Sequence, residues 1–535
     1  MVSPLLQPFL LILLLPTFAT QIVAGDEFDD AISAKLSELG IRGAAITYFD
    51  KNTMKTPMAR GYGQVSSGDS ASAVTPDTAF MLASISKPFV ASAVAVLVDK
   101  GVISSIDEDI CDVIPAEYSD QMCRNPKYPD EKVTWRMMVT HRSSMKRSIP
   151  AAKNQEGNWI CPSCGPTGGY NSEEPAAGNP TCPMEGVVDF YHALLSDDPD
   201  AETTVGAGVK LQCGKDLNWY DLADSEGGMW EDYEPGAKGE YSNAAYGFLP
   251  ALIELATGQS FSEFCRENLF DPLGMDHTAW FHEDLPTDTL KAVPVQKNKN
   301  GGFEDIGHYC YIEYGSGQLH TSANDLVRWG DAMLEYGVPT LWSSDIGREV
   351  VKCQERDAKN EPIQTDCEFG YGWILLSNSM KRRTRWLADS TETSSITSIG
   401  SEATDAPTPS TSSENTGDGP LEQFTSYDWT DGITHDGSDA GCQTNMIILP
   451  KSGFYVAVVT NSDWPPAAQE LTEAVMDAPL PTSSPKSTSK GQTKNEAEVP
   501  KESSSISWRS LPGSSLLMRA TALLLAGRFF TNLFL

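Results

Sequence analysis

A mixed α and β fold is predicted because strand patterns occur near both ends of the chain and helical patterns occur between them. Two short strand candidates, Gly43–Phe49 and Pro57–Gly63, are separated by turn residues. A strong hairpin is predicted for Thr444–Leu449 and Phe454–Thr460, across the turn Pro-Lys-Ser-Gly. The longest helical pattern is apolar and runs over about Ser84–Lys100, before a glycine.

Four further helices are predicted from apolar spacing and helix-end signals: Asp29–Leu39, Ser260–Leu269, Ala323–Glu335 and Pro466–Met476. The segment Pro150–Pro235 is rich in Gly, Pro and Asn and is predicted to be a loop-rich insertion or the wall of a site. Asp389–Gly419 has few apolar residues and is predicted to be a disordered internal loop. We therefore expect one folded domain over residues 26–480.

The charge of the chain excludes one class of partner. The 535 residues carry a net charge of −34, and 40% of them are hydrophobic. Such an acidic surface repels nucleic-acid phosphates, so no nucleic-acid partner is expected. The hydrophobic fraction is typical of a globular protein with a substantial core.

Both ends of the chain predict passage through the secretory pathway. Leu5–Leu15 is mostly apolar and is followed by small residues, which predicts a signal peptide over residues 1–24, although no Lys or Arg precedes the apolar run. At the other end, a Ser/Thr/Lys-rich linker over 481–507 precedes the apolar segment 516–535. Small residues, a polar spacer and an apolar tail are the pattern of a GPI-anchor signal, and a membrane-spanning helix is the alternative. We expect an extracellular or outer-surface protein, attached to the membrane through its C-terminus.

The cysteines agree with an oxidising compartment. There are eleven, and the close pairs Cys111/Cys123 and Cys353/Cys367 can close local loops as disulfides. The motif Cys161-Pro-Ser-Cys164 lies in a Gly/Pro-rich stretch without strand–helix context. A structural disulfide is therefore favoured there over a redox or zinc site.

Ser84 and Lys87 are the first candidates for chemistry. Ser84 stands where the strand-like run Thr78–Leu82 meets the long helix, and Lys87 follows on the same helix face. A serine beside a lysine that can lose its proton is suited to nucleophilic catalysis, and helix N–H groups favour developing negative charge. Alternatively, the pair is an ordinary helix start with an exposed lysine. Ser-x-x-Lys also occurs at 143–146, 483–486 and 487–490.

Two later segments supply further candidates. Tyr241 can shuttle a proton between serine and leaving group, and Asn243 can orient Lys87 or bind a substrate carbonyl. Gly437 would let substrate lie close to a strand, and the N–H of Ser438 can be an oxyanion donor beside that of Ser84. His435 can polarise the site or support Tyr241, but it has no partner at ligand spacing. We therefore expect neither a metal nor a cofactor. In isolation, each segment is also consistent with a surface loop or a packed strand.

These segments resemble the serine beta-lactamase and penicillin-binding-protein superfamily, and most closely its class C beta-lactamase-like branch, which includes esterases and D-amino-acid peptidases. The similarity extends to flanking stretches: Thr78–Phe89, Val133–Ser144, Asp271–Thr278, Tyr314–Leu326 and Phe369–Trp373. It implies a beta-lactamase/transpeptidase-like α/β (α+β) fold, in which a mainly antiparallel sheet is flanked by helices and an all-helical region is inserted mid-chain. It also implies Ser84 as nucleophile and Lys87 with Tyr241 as the base system.

One departure from the family bears on the substrate. Penicillin-recognising members usually have Lys-Thr-Gly or Lys-Ser-Gly in the third motif, whereas this chain has His435-Asp436-Gly437. A neutral histidine and a carboxylate disfavour an anionic substrate. The sequence therefore predicts a serine hydrolase of small-molecule esters or amides that acts through a Ser84 acyl-enzyme. Beta-lactamase or D-amino-acid peptidase activity and a catalytically silent binding protein remain the alternatives, and the oligomeric state is left open.

Overall fold

The computed structural model describes residues 26–148, 229–376 and 427–480, with short gaps at 69, 116–119, 299, 310–312, 358, 364–366 and 463–465. It also describes the two-residue strands 152–153 and 159–160 and residue 188. Several predictions lie outside the described residues: the signal peptide 1–24, the disulfide at Cys161–Cys164, the internal loop 389–419, the linker 481–507 and the apolar segment 516–535. Most of the predicted loop-rich segment 150–235 lies outside them as well.

The centre of the fold is a six-stranded sheet in which each pair of neighbouring strands is antiparallel. Its order is β2-β1-β12-β11-β10-β9. The strands of this sheet are β1 Gly43–Asp50, β2 Met58–Gly63, β9 Ile374–Leu376, β10 Gly432–Asp439, β11 Cys442–Leu449 and β12 Phe454–Thr460. Three two-stranded pairs complete the described strands: β3 Phe80–Met81 with β8 His320–Thr321, β4 Ala152–Lys153 with β5 Trp159–Ile160, and β6 Val295–Lys297 with β7 Phe303–Asp305.

The described part of the chain forms the helices α1 Glu27–Leu39, α2 Ser86–Asp99, α3 Trp135–Val139, α4 Asn243–Thr257, α5 Phe261–Cys265, α6 Asp271–Leu273, α7 Ala323–Leu334, α8 Ser344–Val350 and α9 Ala467–Asp477. Helices α1 and α9 pack on one face of the six-stranded sheet, and α7 packs on the other. Along β12, Val456 and Val458 join the apolar cluster under α1 and α9, whereas Tyr455, Ala457 and Val459 join the larger cluster around α2 and α4. Alternate residues of a strand point to opposite faces, so both faces of β12 are buried.

Most predicted elements are confirmed, with end shifts of a few residues. The hairpin is formed by β11 and β12, and the closing helix is α9. Two helices differ from the prediction. The helix over Ser260–Leu269 changes at Arg266 into a π-turn that ends at Phe270. The helix predicted from Ser84 starts as a 3₁₀ turn over Ala83–Ile85, and α2 follows it.

The two predicted close cysteine pairs are confirmed as disulfides. The Cα atoms of Cys111 and Cys123 lie 5.3 Å apart, and those of Cys353 and Cys367 lie 5.9 Å apart. Each bond closes a short loop and thereby reduces the freedom of the unfolded chain.

Among the helices of the described residues, none has the length and apolar character needed to cross a bilayer.

Candidate active site

Ser84 lies in a constrained turn at the edge of the sheet. The residue before it, Ala83, has a φ of +48°, a backbone conformation that residues other than glycine rarely adopt. The turn is held from two sides: Leu82 N–H donates to the Leu319 carbonyl at 2.7 Å, and Thr444 Oγ1 donates to the Leu82 carbonyl at 2.7 Å. These bonds fix the backbone, and the Ser84 side chain remains partly exposed.

Lys87 contacts Ser84 directly from the first turn of α2. It is fully buried, and Nζ donates to Ser84 Oγ at 3.0 Å and to the Ser316 carbonyl at 2.7 Å. Burial lowers the pKa of Lys87 to about 7, against the opposing effect of nearby carboxylates, of which Glu313 is the strongest. Lys87 therefore exchanges its proton near neutral pH while in contact with the serine hydroxyl.

Tyr241 approaches Ser84 from the segment before α4. Tyr241 lies beside Ser84, and Lys87 Nζ lies 4.8 Å from the centre of the tyrosine ring. Burial raises the pKa of Tyr241 above its usual range, and the neighbouring Ser84 hydroxyl opposes this shift only in part. Tyr241 is thus a neutral phenol at physiological pH.

Two residues that the sequence did not single out hold Tyr241. His141 stacks on the tyrosine ring with the ring centres 4.4 Å apart, and its Nδ1 accepts from the Ser242 N–H at 3.0 Å. Arg147 lies on the ring with its guanidinium carbon 5.5 Å from the centre, and it is exposed. His141 belongs to the stretch Val133–Ser144, whose resemblance to the family could have pointed to it. Nothing in the sequence pointed to Arg147.

Asn243 does not orient Lys87. Its Nδ2 makes a long bond of 3.4 Å to Ser148 Oγ, and its Oδ1 has no hydrogen-bond partner among the described residues. Because a lysine ammonium only donates, a bond to Lys87 would require that oxygen. The other predicted role, binding of a substrate carbonyl, would use Nδ2 as the donor and stays a prediction.

The third segment forms β10, and its histidine is buried and neutral. Burial, and secondarily Lys87, lower the pKa of His435 to about 3. Its Nδ1 lies 2.6 Å from the Asp436 carbonyl oxygen, which assigns the proton to Nδ1 and leaves Nε2 as an unpaired acceptor. The centres of the His435 and Tyr241 rings are 6.5 Å apart, so His435 faces the site without bonding Tyr241. Burial raises the pKa of Asp436.

Gly437 packs closely on the turn that contains Ser84. A Cβ there would lie 2.3 Å from Thr444 Oγ1, 2.4 Å from the Leu82 carbonyl oxygen and 2.9 Å from the Ser84 nitrogen. The missing side chain therefore lets β10 pack on the Ser84 turn, and the predicted close approach of substrate at this glycine stays a prediction. Ser438, the next residue, is exposed, and its Oγ accepts from Gln443 Nε2 at 2.7 Å.

Gly437→Ala is expected to destabilise the fold by about 1–3 kcal/mol, because two of the three close atoms belong to backbone that cannot move cheaply. The free energy of unfolding from urea titration measures this loss. Gly68→Ala is the matched control, since a Cβ there would have no neighbour within 4 Å. Equal stabilities of the two variants would contradict the close packing of β10 on the serine turn.

The nearest competing serine does not form such a site. Ser143, of the Ser-x-x-Lys motif at 143–146, is buried, and its Oγ accepts from the Met145 N–H at 3.3 Å. The other two motifs, at 483–486 and 487–490, lie outside the described residues.

Comparison with known proteins places this geometry in a family. The family model described as Beta-lactamase matches residues 28–181 and 208–479, which is more than half of the chain. Beta-lactamase-like protein 4 of Dictyostelium discoideum is 28% identical over 52% of this chain and 40% of that protein. The match covers only about half of the length of that protein. The same holds for two further curated relatives that this chain matches.

Solved structures share the fold at low identity. A class C beta-lactamase from Rhodobacter sphaeroides is 18% identical, with a TM-score of 0.50 over 84% of this chain and 99% of that chain. A beta-lactamase/D-alanine carboxypeptidase from Pseudomonas syringae is 15% identical, with a TM-score of 0.51 over 85% and 99% of the two chains. The sheet, the flanking helices and the family match together show that this chain belongs to the Beta-lactamase family of serine hydrolases, within the serine beta-lactamase and penicillin-binding-protein superfamily.

Proposed function

We propose that this protein hydrolyses ester or amide bonds of small molecules through a covalent acyl-enzyme on Ser84. The observation that carries the proposal is the contact at the Ser84 hydroxyl, which accepts from Lys87 Nζ at 3.0 Å, with Tyr241 beside it. A serine in contact with a lysine whose pKa is lowered towards neutrality has the arrangement of an activated nucleophile. This contact argues against a catalytically silent binding protein.

Lys87 is the proposed base for the first step. Its neutral amine takes the proton of Ser84 as Oγ attacks the carbonyl carbon, and the carbonyl π-electrons move onto oxygen. Tyr241 is a poor initial base because its pKa is raised by burial. As a neutral phenol it can hand a proton to the leaving group while receiving one from Lys87, and this returns the lysine to its neutral form.

The oxyanion is proposed to bind between the backbone N–H groups of Ser84 and Ser438. The support is the packing of β10 on the serine turn, where the Cβ position of Gly437 is 2.9 Å from the Ser84 nitrogen. Two fixed N–H donors stabilise charge that develops only in the transition state. Hydrolysis by water then breaks the Ser84 ester and releases the acid.

Uncharged substrates are expected to react better than anionic beta-lactams. The third motif supplies a neutral His435 and an Asp436 carboxyl where many relatives supply a lysine. In kcat/KM, a panel of short acyl esters and amides should exceed a chromogenic cephalosporin. A cephalosporin that reacts faster than every ester would contradict this preference.

A second candidate is a peptidase that acts on D-amino-acid peptides with a free carboxylate. The observation that favours it is Arg147, an exposed cation beside Tyr241. The variant Arg147→Ala separates the two candidates. For the ester hydrolase, KM for a neutral ester stays unchanged, whereas for the peptidase KM for a D-alanyl-D-alanine peptide rises strongly. Arg348→Ala, at an exposed residue of α8, is the control.

The pH dependence of kcat/KM tests the base. Because burial lowers the pKa of Lys87 to about 7, the lysine is protonated and inactive below that pH and neutral above it. We expect kcat/KM for a neutral ester to rise with pH through about 7 and then to level off. Glu313→Gln should move this rise to lower pH, since Glu313 is the main group that favours the protonated lysine. An unmoved rise would contradict the assignment to Lys87.

A further inference from the structure

Three histidines from separate parts of the chain meet outside the Ser84 site. His282 lies in the loop after Trp280, His308 follows β7, and His320 begins β8. One ligand nitrogen from each ring lies within 4.8 Å of the other two. The gaps of 26 and 12 residues match no metal-binding motif, so this cluster has no sequence signal, and no metal was predicted.

The three rings are packed in a way that leaves a ring nitrogen of His320 unpaired. The rings of His282 and His308 are stacked with centres 4.5 Å apart, and those of His282 and His320 are 5.9 Å apart. His282 and His320 are at least nine-tenths buried; His320 Nδ1 has no hydrogen-bond partner among the described residues, and His282 Nδ1 faces the Glu283 carboxylate at 3.1 Å. Buried polar atoms without partners are rare in folded proteins, and an absent bound ion is one of the usual reasons.

The protonation state of the cluster suits metal binding. Burial lowers the pKa of His282 and of His308 to about 4 and that of His320 well below its usual range, so all three rings are neutral at pH 7. A neutral imidazole offers the lone pair that a metal requires.

Carboxylates lie beside the cluster. Glu283 Oε2 is 3.1 Å from His282 Nδ1, and Asp305 favours the protonated form of His308. Lys291 acts in the opposite direction on both His282 and His308. A divalent cation bound by three neutral nitrogens would lie next to the Glu283 carboxylate. The attraction between the cation and this carboxylate would offset the repulsion between the cation and Lys291.

We propose that His282, His308 and His320 bind a divalent transition-metal ion of the zinc type, with the Glu283 carboxylate as the fourth ligand. Zn²⁺ takes imidazole nitrogen at about 2.0–2.1 Å and carboxylate oxygen at a similar distance in tetrahedral sites. Ligand nitrogens of such a site lie about 3.4 Å apart, so the rings close inwards by about 1 Å on binding. His308 follows a loop and is the least buried of the three, so it can make this movement.

The position of the site indicates a structural role. His320 pairs with Met81 across β3 and β8, the neighbouring Leu319 accepts from Leu82 N–H, and Ser316 accepts from Lys87. A metal on His320 ties the loops of His282 and His308 to the strand that supports the Ser84 turn. The proposal concerns metal binding alone and does not depend on the chemistry proposed for Ser84.

The test uses the full chain after dialysis against a chelator, titrated with Zn²⁺ in a calorimeter and with Co²⁺ in a visible spectrometer. We expect one Zn²⁺ per chain, an intense Co²⁺ d–d spectrum of four-coordinate type without a thiolate charge-transfer band, and a higher unfolding temperature with Zn²⁺. His308→Gln is expected to weaken Zn²⁺ binding by more than about 100-fold, because it removes a direct ligand. Glu283→Gln is expected to weaken it as well, because the uncharged amide oxygen is a poorer ligand than the carboxylate.

His277→Gln is the matched control, since His277 lies outside the cluster and its Nδ1 is hydrogen-bonded to Thr289. It should bind Zn²⁺ as the unmodified chain does. Far-UV circular dichroism verifies that each variant is folded, and the partly exposed position of His308 makes its variant the one least prone to unfolding. Absence of stoichiometric Zn²⁺ binding by the unmodified chain, or unchanged binding by folded His308→Gln, would overturn the proposal.

Discussion

Ser84→Ala is expected to reduce kcat/KM for the best ester by at least about 10³-fold, because without the hydroxyl no acyl-enzyme can form and the remaining groups do not replace it. The fold should persist, since the turn is held by the backbone of Leu82 rather than by the serine side chain. Initial rates over a range of ester concentrations, with circular dichroism as the test of folding, provide the measurement.

The control for this variant is Ser143→Ala, which alters the competing Ser-x-x-Lys motif. Ser143 Oγ is buried and accepts from the local Met145 N–H, so this variant should retain ester turnover. Near-normal turnover in Ser84→Ala would disprove the proposed nucleophile, whichever result the control gave.

Lys87→Met is expected to reduce kcat/KM by about 10²–10⁴-fold, the usual contribution of a general base. Methionine has a similar length and keeps the buried volume, but it cannot accept a proton. Burial lowers the pKa of Lys87 from 10.5 to about 7, so between these pH values the unfolded chain binds more protons than the folded chain. The free energy of unfolding therefore falls as the pH is lowered through this range, and buried Lys87 destabilises the fold at pH 7. The variant should therefore unfold at an equal or higher temperature at pH 7.

Lys146→Met is the corresponding control, and it should retain both the activity and the rise of kcat/KM near pH 7. A Lys87→Met enzyme that still shows that rise would mean that another group is the base. Lost activity together with a lower unfolding temperature would instead assign a structural role to Lys87.

Local patterns were enough to predict much of the fold and part of the candidate site. The contact between Ser84 and Lys87 follows from the three-residue spacing, because such residues share one face of a helical turn. The hairpin of β11 and β12 follows from alternating apolar runs around a Pro and Gly turn. The antiparallel sheet and the helical region between its strands were implied by the family resemblance, and the structure and the comparisons confirm both.

Other features depend on contacts between distant segments and carry no local signal. The positive φ of Ala83 is imposed by bonds from Leu319 and Thr444 to Leu82, more than 200 residues away in sequence. In the same way Ser316 reaches Lys87 through a backbone carbonyl, which any residue type provides. The close packing of Gly437 on the Ser84 turn was not predicted, because only the folded chain shows which backbone lies next to its Cα atom.

The most direct test of the account is to label the folded protein with a serine-reactive phosphonate and to map the adduct by peptide mass spectrometry. The account predicts one adduct per chain, on the peptide that contains Ser84, and parallel loss of ester turnover. Labelling should slow in Lys87→Met, because Lys87 contacts the attacking hydroxyl, and in Tyr241→Phe, because Tyr241 lies beside it. An adduct on Ser143 or another serine, or a fully active protein with no adduct, would contradict the assignment of Ser84 as the nucleophile.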